Sequence, residues 1–301
     1  MNTLLILIKR NTKLFFKDKG AFFTSLITPF ILLVLYSTFL GKVYKDAFLS
    51  GIPEQLLPLI TDELINGFVG GQLFSSLLAV CPITVSFCSN MLMVSDKITG
   101  AYNDFKITPV KPSQMSLAYF ISSYLSTLII CFVATGACLV YIAFTGWYFS
   151  LVDILYILLD VVLLVFFGTA LSSLINFFLT SQGQLSAVGT VVSACYGFIC
   201  GAYMPISQFG ETLQKVLSFL PGTHGTSLLR NHTLNCVFEE MEHSLKLPNE
   251  LIAGLRDAVD CNIYFFGDKI PISVMYAVLG GSIVLITAIY IILNIVKKSK
   301  I

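Results

Sequence analysis

The chain has 301 residues, 56% of them hydrophobic and 12% charged, with a formal net charge of +1 and a mean hydropathy of +0.84. A soluble domain carries about 25% charged residues, so this composition argues against a water-soluble globule and makes the lipid bilayer the expected solvent. The near-neutral charge leaves no basic field for nucleic acid.

In residues 4–19, Leu4, Leu7, Ile8, Leu14 and Phe15 recur at helical spacing, while Lys9, Lys13 and Lys17 form a stripe on another face. The basic residues follow the apolar start, and no small-residue cleavage site appears, which argues against a cleaved signal peptide. The pattern predicts a helix lying in the inner membrane interface, with a solvated cytoplasmic tail as the alternative.

A spanning helix needs about 20 mostly apolar residues. Runs of that kind fall near 21–41, 68–94, 115–146, 152–179, 184–204 and 272–296, which predicts six spans in an all-α polytopic membrane protein. Pro29, Pro82 and the Gly280-Gly281 pair lie inside spans, where neighbouring helices re-satisfy a loosened backbone. Lys and Arg accumulate on the cytoplasmic side of membranes. The basic N-terminal segment, the 95–114 connection with Lys97, Lys106 and Lys111, and the C-terminal Lys297, Lys298 and Lys300 therefore face the cytoplasm. The acid-bearing 42–67 and 205–271 segments then lie outside, and both termini lie inside.

Between the spans, residues 95–112 are too polar to cross a membrane, yet Ile98, Tyr102, Phe105 and Ile107 share one helical face. That face either covers neighbouring spans or docks on a cytosolic partner. After the fifth run, residues 205–221 have helical periodicity bounded by Pro205 and Pro221, which predicts a short re-entrant or outer-interfacial helix. Residues 222–270, with His224, His232 and His243, are polar enough to form a small outer cap.

Motifs for catalysis are missing. There is no Gly-x-x-x-x-Gly-Lys-Ser/Thr phosphate loop, no Gly-x-Ser-x-Gly elbow and no His-Glu-x-x-His helix. The eight cysteines include no Cys-x-x-Cys pair, so no metal site is expected. Cys236 and Cys261 are the two expected to face the outside, either bonded to each other or as free thiols. Asp160 is the only acid well inside a span, which makes it a candidate pathway residue and disfavours an ion-coupled carrier or channel, since those usually bury several ionisable groups. A third reading, an intramembrane enzyme or sensor, would recruit the three outer histidines.

The basic N-terminus with Arg10, Lys17 and Lys19 leads into a span containing Pro29. It is followed by the Gly100...Thr108-Pro109-Val110 run and by Gly201-x-x-x-Pro205...Leu220-Pro221...Arg230. In that order, over nearly the whole chain, these pieces resemble the membrane subunits of type 2 ATP-binding-cassette exporters. The resemblance implies a permease without catalysis of its own, paired with a second permease and coupled to separate ATPase subunits that carry the ATP and Mg. It places the protein in the plasma membrane. It also implies that residues 96–109 couple to the ATPase through Asp96, Ile98, Gly100, Tyr102, Asp104, Phe105 and Pro109. Where relatives often have Glu before the glycine and Gly-Thr-x-Glu from it, this chain has Asp96 and Gly100-Ala101-Tyr102-Asn103-Asp104. Substrate is then expected to meet Phe74 and Phe87 of the second span and Tyr196 and Phe198 of the fifth.

Overall fold

The long apolar runs become long helices around one buried column. A computed structural model describes residues 3–108, 110–244 and 246–298; Pro109 and Lys300 lie outside the described residues. Helix α1 (Thr3–Lys17) ends where Asp18 accepts the Ala21 amide at 3.0 Å and so caps α2 (Lys19–Leu35). A π-helical turn (Tyr36–Leu40) joins α2 to α3 (Gly41–Ser50), so the first long helix runs unbroken through Lys19–Ser50, well past the expected 21–41.

Helix α4 (Asp62–Ile98) starts at Thr61, whose hydroxyl accepts the Leu64 amide, with Asp62 and Glu63 at the positive end of its dipole. It is the column. Almost every residue from Leu64 to Val94 is buried, because α2, α6 (Pro112–Thr145), α7 (Leu151–Phe178), α8 (Gln182–Ile199) and α10 (Pro221–Ser244) all pack on it. The approach of α7 is close enough that a Cβ on Gly168 would meet the Pro82 carbonyl at 2.8 Å, and this carbonyl shares its turn with the helix-loosening proline. Helix α12 (Ile272–Lys298) closes the bundle against α7 and α10.

Among the described residues, five helices are long and apolar enough to cross a membrane: Lys19–Ser50, Asp62–Ile98, Pro112–Thr145, Leu151–Phe178 and Ile272–Val296. The run expected over 184–204 falls short of that standard. It forms α8, 18 residues and about 27 Å long, and Gln182, Gln184, Ser186, Thr190 and Ser193 lower its hydropathy. The helix expected over 205–221 is two short pieces, a 3-10 turn (Ile206–Gln208) and α9 (Glu211–Leu217).

The larger departure is in 222–270. Its first half is the buried helix α10, with Leu228, Leu229, Leu234 and Met241 shielded from solvent, rather than part of a polar outer cap. Polar side chains lower its hydropathy, yet most of their polar atoms find partners inside the protein, which offsets much of the cost of burial. Arg230 donates to Asp260 at 3.0 Å and to the Gly201 carbonyl at 2.6 Å, and Asn231 donates to the Cys261 carbonyl at 2.5 Å. Only the second half forms a lobe: α11 (Asn249–Ala258) and a two-residue hairpin (Tyr264–Phe265 with Asp268–Lys269) turning at Gly267, φ +99°. Phe48, Phe68, Phe238 and Leu255 form its core, with the Phe48 and Phe68 rings stacked at 4.4 Å.

Candidate functional site

The basic N-terminal helix and the 95–112 connection meet at one end of the bundle, and a buried carboxylate ties them together. Asp96, in the last turn of α4, is 6% exposed. Arg10 of α1 donates to it at 2.7 and 3.3 Å, and the Tyr119 hydroxyl of α6 donates at 2.5 Å. The same guanidinium lies over the Phe105 ring at 5.0 Å and donates to Asn11 at 2.9 Å. Arg10 and Asp96 together thus join α1 to α4 and α6 and to α5 (Ala101–Lys106). Charge-assisted hydrogen bonds of this kind are the stronger sort.

Gly100 makes the corner between α4 and α5. Its φ of +86° lies in the left-handed region that a Cβ disfavours, so glycine turns the chain where another residue would be strained. Lys97, one residue beyond Asp96, reaches the carbonyls of Asn176, Phe177 and Leu179 at 3.0, 3.0 and 3.3 Å, at the C-terminal end of α7. Its cation sits where the helix dipole is negative.

The apolar face expected across this segment divides. Tyr102 and Phe105 pack with Leu7, Met115 and Ala118, and burial pushes the Tyr102 phenol above its ordinary pKa, so it acts as a packing group. Ile98 and Ile107 stay exposed, Ile107 at 87%, beside exposed Asp104. Lys9, Lys13 and Lys17 line the outward face of α1, while Leu7 and Phe15 are buried.

The five expected pathway residues have different surroundings. Phe74 and Phe87 are buried in the core at 1% and 2% exposure. Tyr196 is half-buried close to Gly222, and Phe198 is half-exposed beside Tyr203 in a cavity of about 480 Å³. Asp160 is fully buried, with His232 Nδ1 at 2.6 Å and the Tyr276 hydroxyl at 2.7 Å on its two oxygens. It therefore links α7, α10 and α12 and faces polar neighbours. The partnership with His232 escaped the sequence because 72 residues separate them.

The histidines are likewise apart. His224 bonds the Ser218 carbonyl at 2.9 Å, His243 is exposed, and among the described residues no group of His, Cys, Asp and Glu could hold a metal. Cys236 and Cys261 are separate free thiols. Cys236 donates to Asp153 at 2.8 Å, and Cys261 is buried in the lobe core, where burial pushes its thiol up to about 12. Each is held by its own neighbours, so the bond considered between them is not formed.

A helical bundle, with five described helices long and apolar enough to span a bilayer and a basic end built from α1, α5 and the end of α4, defines a polytopic membrane protein. The family model for the ABC-2 type transporter matches residues 2–233, and the chain belongs to that family, as a membrane permease of an ATP-binding-cassette transporter. Neither a curated protein nor a solved structure matches it.

Proposed function

We propose that the chain is the permease subunit of an ATP-driven exporter of the plasma membrane, with both termini cytoplasmic. It works as a pair of permeases on two separate ATPase subunits, which bind the ATP and Mg. The observation that carries this reading is the Arg10–Asp96–Tyr119 junction with Phe105, because it converts a push on α1 or α5 into movement of α4 and α6. Exposed Ile107, Asp104 and Ile98 form the contact for the ATPase. Helix α8 completes the fifth crossing, and α9 with the turn before it forms the re-entrant element.

Helix α8 also supports the pairing. Only Leu185 and Gly197 of its residues are buried, and the rest include exposed Ser186, Thr190 and Ser193. Small and hydroxyl residues are poor lipid-facing groups and good helix contacts. A second copy against this face would enclose a path lined by α8, with Phe198 and Tyr196 toward its far end.

The test is co-purification and reconstitution. The permease is expected to retain an ATP-binding-cassette ATPase through detergent extraction, to lose it on Ile107→Asp with Asp104→Lys, and to move substrate only with ATP. Flux in vesicles that lack any ATPase would overturn the reading in favour of an ion-coupled carrier.

A further inference from the structure

On one flank of the bundle a groove runs beside α4, whose Asn66 is exposed there. Helices α2 and α3 pack on one side of α4 and α6 on the other, leaving the groove, of about 640 Å³, floored by Asn66, Gly70 and Leu73. Small residues open it: Gly41 and Gly70 at one end, Ala134 and Ala137 on α6. Its lining runs along the first long helix from Leu26 to Lys45, about 28 Å at 1.5 Å per residue. That exceeds the roughly 15 Å depth of one leaflet. Phe30, Leu33 and Tyr141 border it and are 66%, 46% and 51% exposed, so it is open sideways to lipid.

The charges are confined to one end. Lys42 and Lys45, one turn apart, are the only charged residues lining the groove, and no acid lines it. Asp62 approaches Lys45 at 3.7 Å, but its side chain is 90% exposed and such pairs are weak in water. Lys42 has no ion pair among the described residues.

An apolar slot ending in two cations distinguishes its occupants. A helix of a second copy would fill the slot yet leave Lys42 enclosed without counter-charge and Lys45 with only the exposed Asp62, which is costly. A phospholipid fills the slot and brings a phosphate to its end. We propose that this groove holds an acyl chain of an anionic phospholipid, with its phosphate against Lys42 and Lys45. Because any acyl chain is already in hydrocarbon, selection comes from the headgroup, about fivefold per lysine and roughly 25-fold for the two. The groove includes no residue of α1, α5 or α8, so this assignment stands or falls apart from the coupling reading.

Trp147 is the single tryptophan, so Trp147→Phe with Tyr141→Trp places one fluorophore on the groove wall. The full chain is reconstituted in phosphatidylcholine vesicles containing brominated phosphatidylglycerol or brominated phosphatidylcholine at equal mole fraction. The expected result is quenching by the glycerol lipid at roughly 25-fold lower mole fraction. Lys42→Gln with Lys45→Gln, both away from the core, is expected to bring the two lipids level. A tryptophan at exposed Val133, outside the groove on the same helix, should show no preference. Equal quenching by both lipids at position 141 would mean ordinary surrounding lipid, and no quenching by either would mean that another copy covers the groove. Both results overturn the proposal.

Discussion

Removing Arg10 should release α1 from the bundle by a calculable amount. In Arg10→Ala the Asp96 side chain, 8% exposed, keeps only the Tyr119 hydroxyl as partner. Stranding a fully buried charge costs about 3–5 kcal/mol. Arg10 is itself 30% exposed, so water enters the space it leaves, and a loss of about 2 kcal/mol is the better figure. The cation–π contact with Phe105, about 0.5–1 kcal/mol, goes with it. Asp96→Asn should cost less, about 1 kcal/mol, because an amide still accepts from Tyr119 and the freed guanidinium reaches water. In Arg10→Ala with Asp96→Asn no carboxylate is stranded, so the double variant should be more stable than the sum of the two singles.

The assay is cleavage by a lysine-specific endopeptidase at Lys9, Lys13 and Lys17. These side chains are exposed, but their backbone is helical, so cleavage requires local opening and its rate follows the opening equilibrium. The combined change of about 2.5–3 kcal/mol predicts cleavage roughly 100-fold faster for Arg10→Ala, and the change of about 1 kcal/mol about fivefold faster for Asp96→Asn. Arg10→Ala cleaved at the parent rate, or strict additivity in the double variant, would refute the junction.

Gly100→Ala should cost about 1–2 kcal/mol through its left-handed φ, and Gly100→Asn less; the check is thermal melting alongside partner-stimulated ATP hydrolysis, which should fall in the same order. Asp160→Leu strands the His232 ring nitrogen and the Tyr276 hydroxyl in a dry site, a loss of roughly 3 kcal/mol. Asp160→Asn retains acceptor capacity and should melt closer to the parent, with transport still dependent on ATP; a proton-gradient dependence lost in Asp160→Asn would favour the ion-coupled alternative. Cys261 should resist maleimide at pH 8 until the chain is unfolded, since its raised thiol pKa leaves little thiolate. For the same reason the folded state holds this proton more tightly than the unfolded state, so stability contributed here is complete below about pH 9 and declines as pH rises toward 12.

The legible parts of the molecule were those encoded over a local window. A run of about 20 apolar residues has to be satisfied within its own helix in lipid, and five of the six runs became long apolar helices, the first of them running well past its expected end. The amphipathic α1, with Leu7 and Phe15 inward and its lysines outward, followed from 3.6-residue spacing alone, whereas the single helical face expected from Ile98 to Ile107 is broken by the left-handed corner at Gly100. The family was equally legible, because its pieces are ordered along the chain.

Pairings between distant residues were beyond the sequence. Asp96 was singled out only through the family resemblance, and nothing local indicated that Arg10, 86 residues away, and Tyr119 would enclose it. Helix α10 is the sharpest case. Arg230, Asn231 and His232 made it read as a solvated cap, yet Asp260, the Cys261 carbonyl and Asp160 supply their partners in the interior. Hydropathy sums the cost of burying each polar group alone. Only the tertiary structure decides whether a partner offsets that cost, and here it did so for the polar centre of a helix.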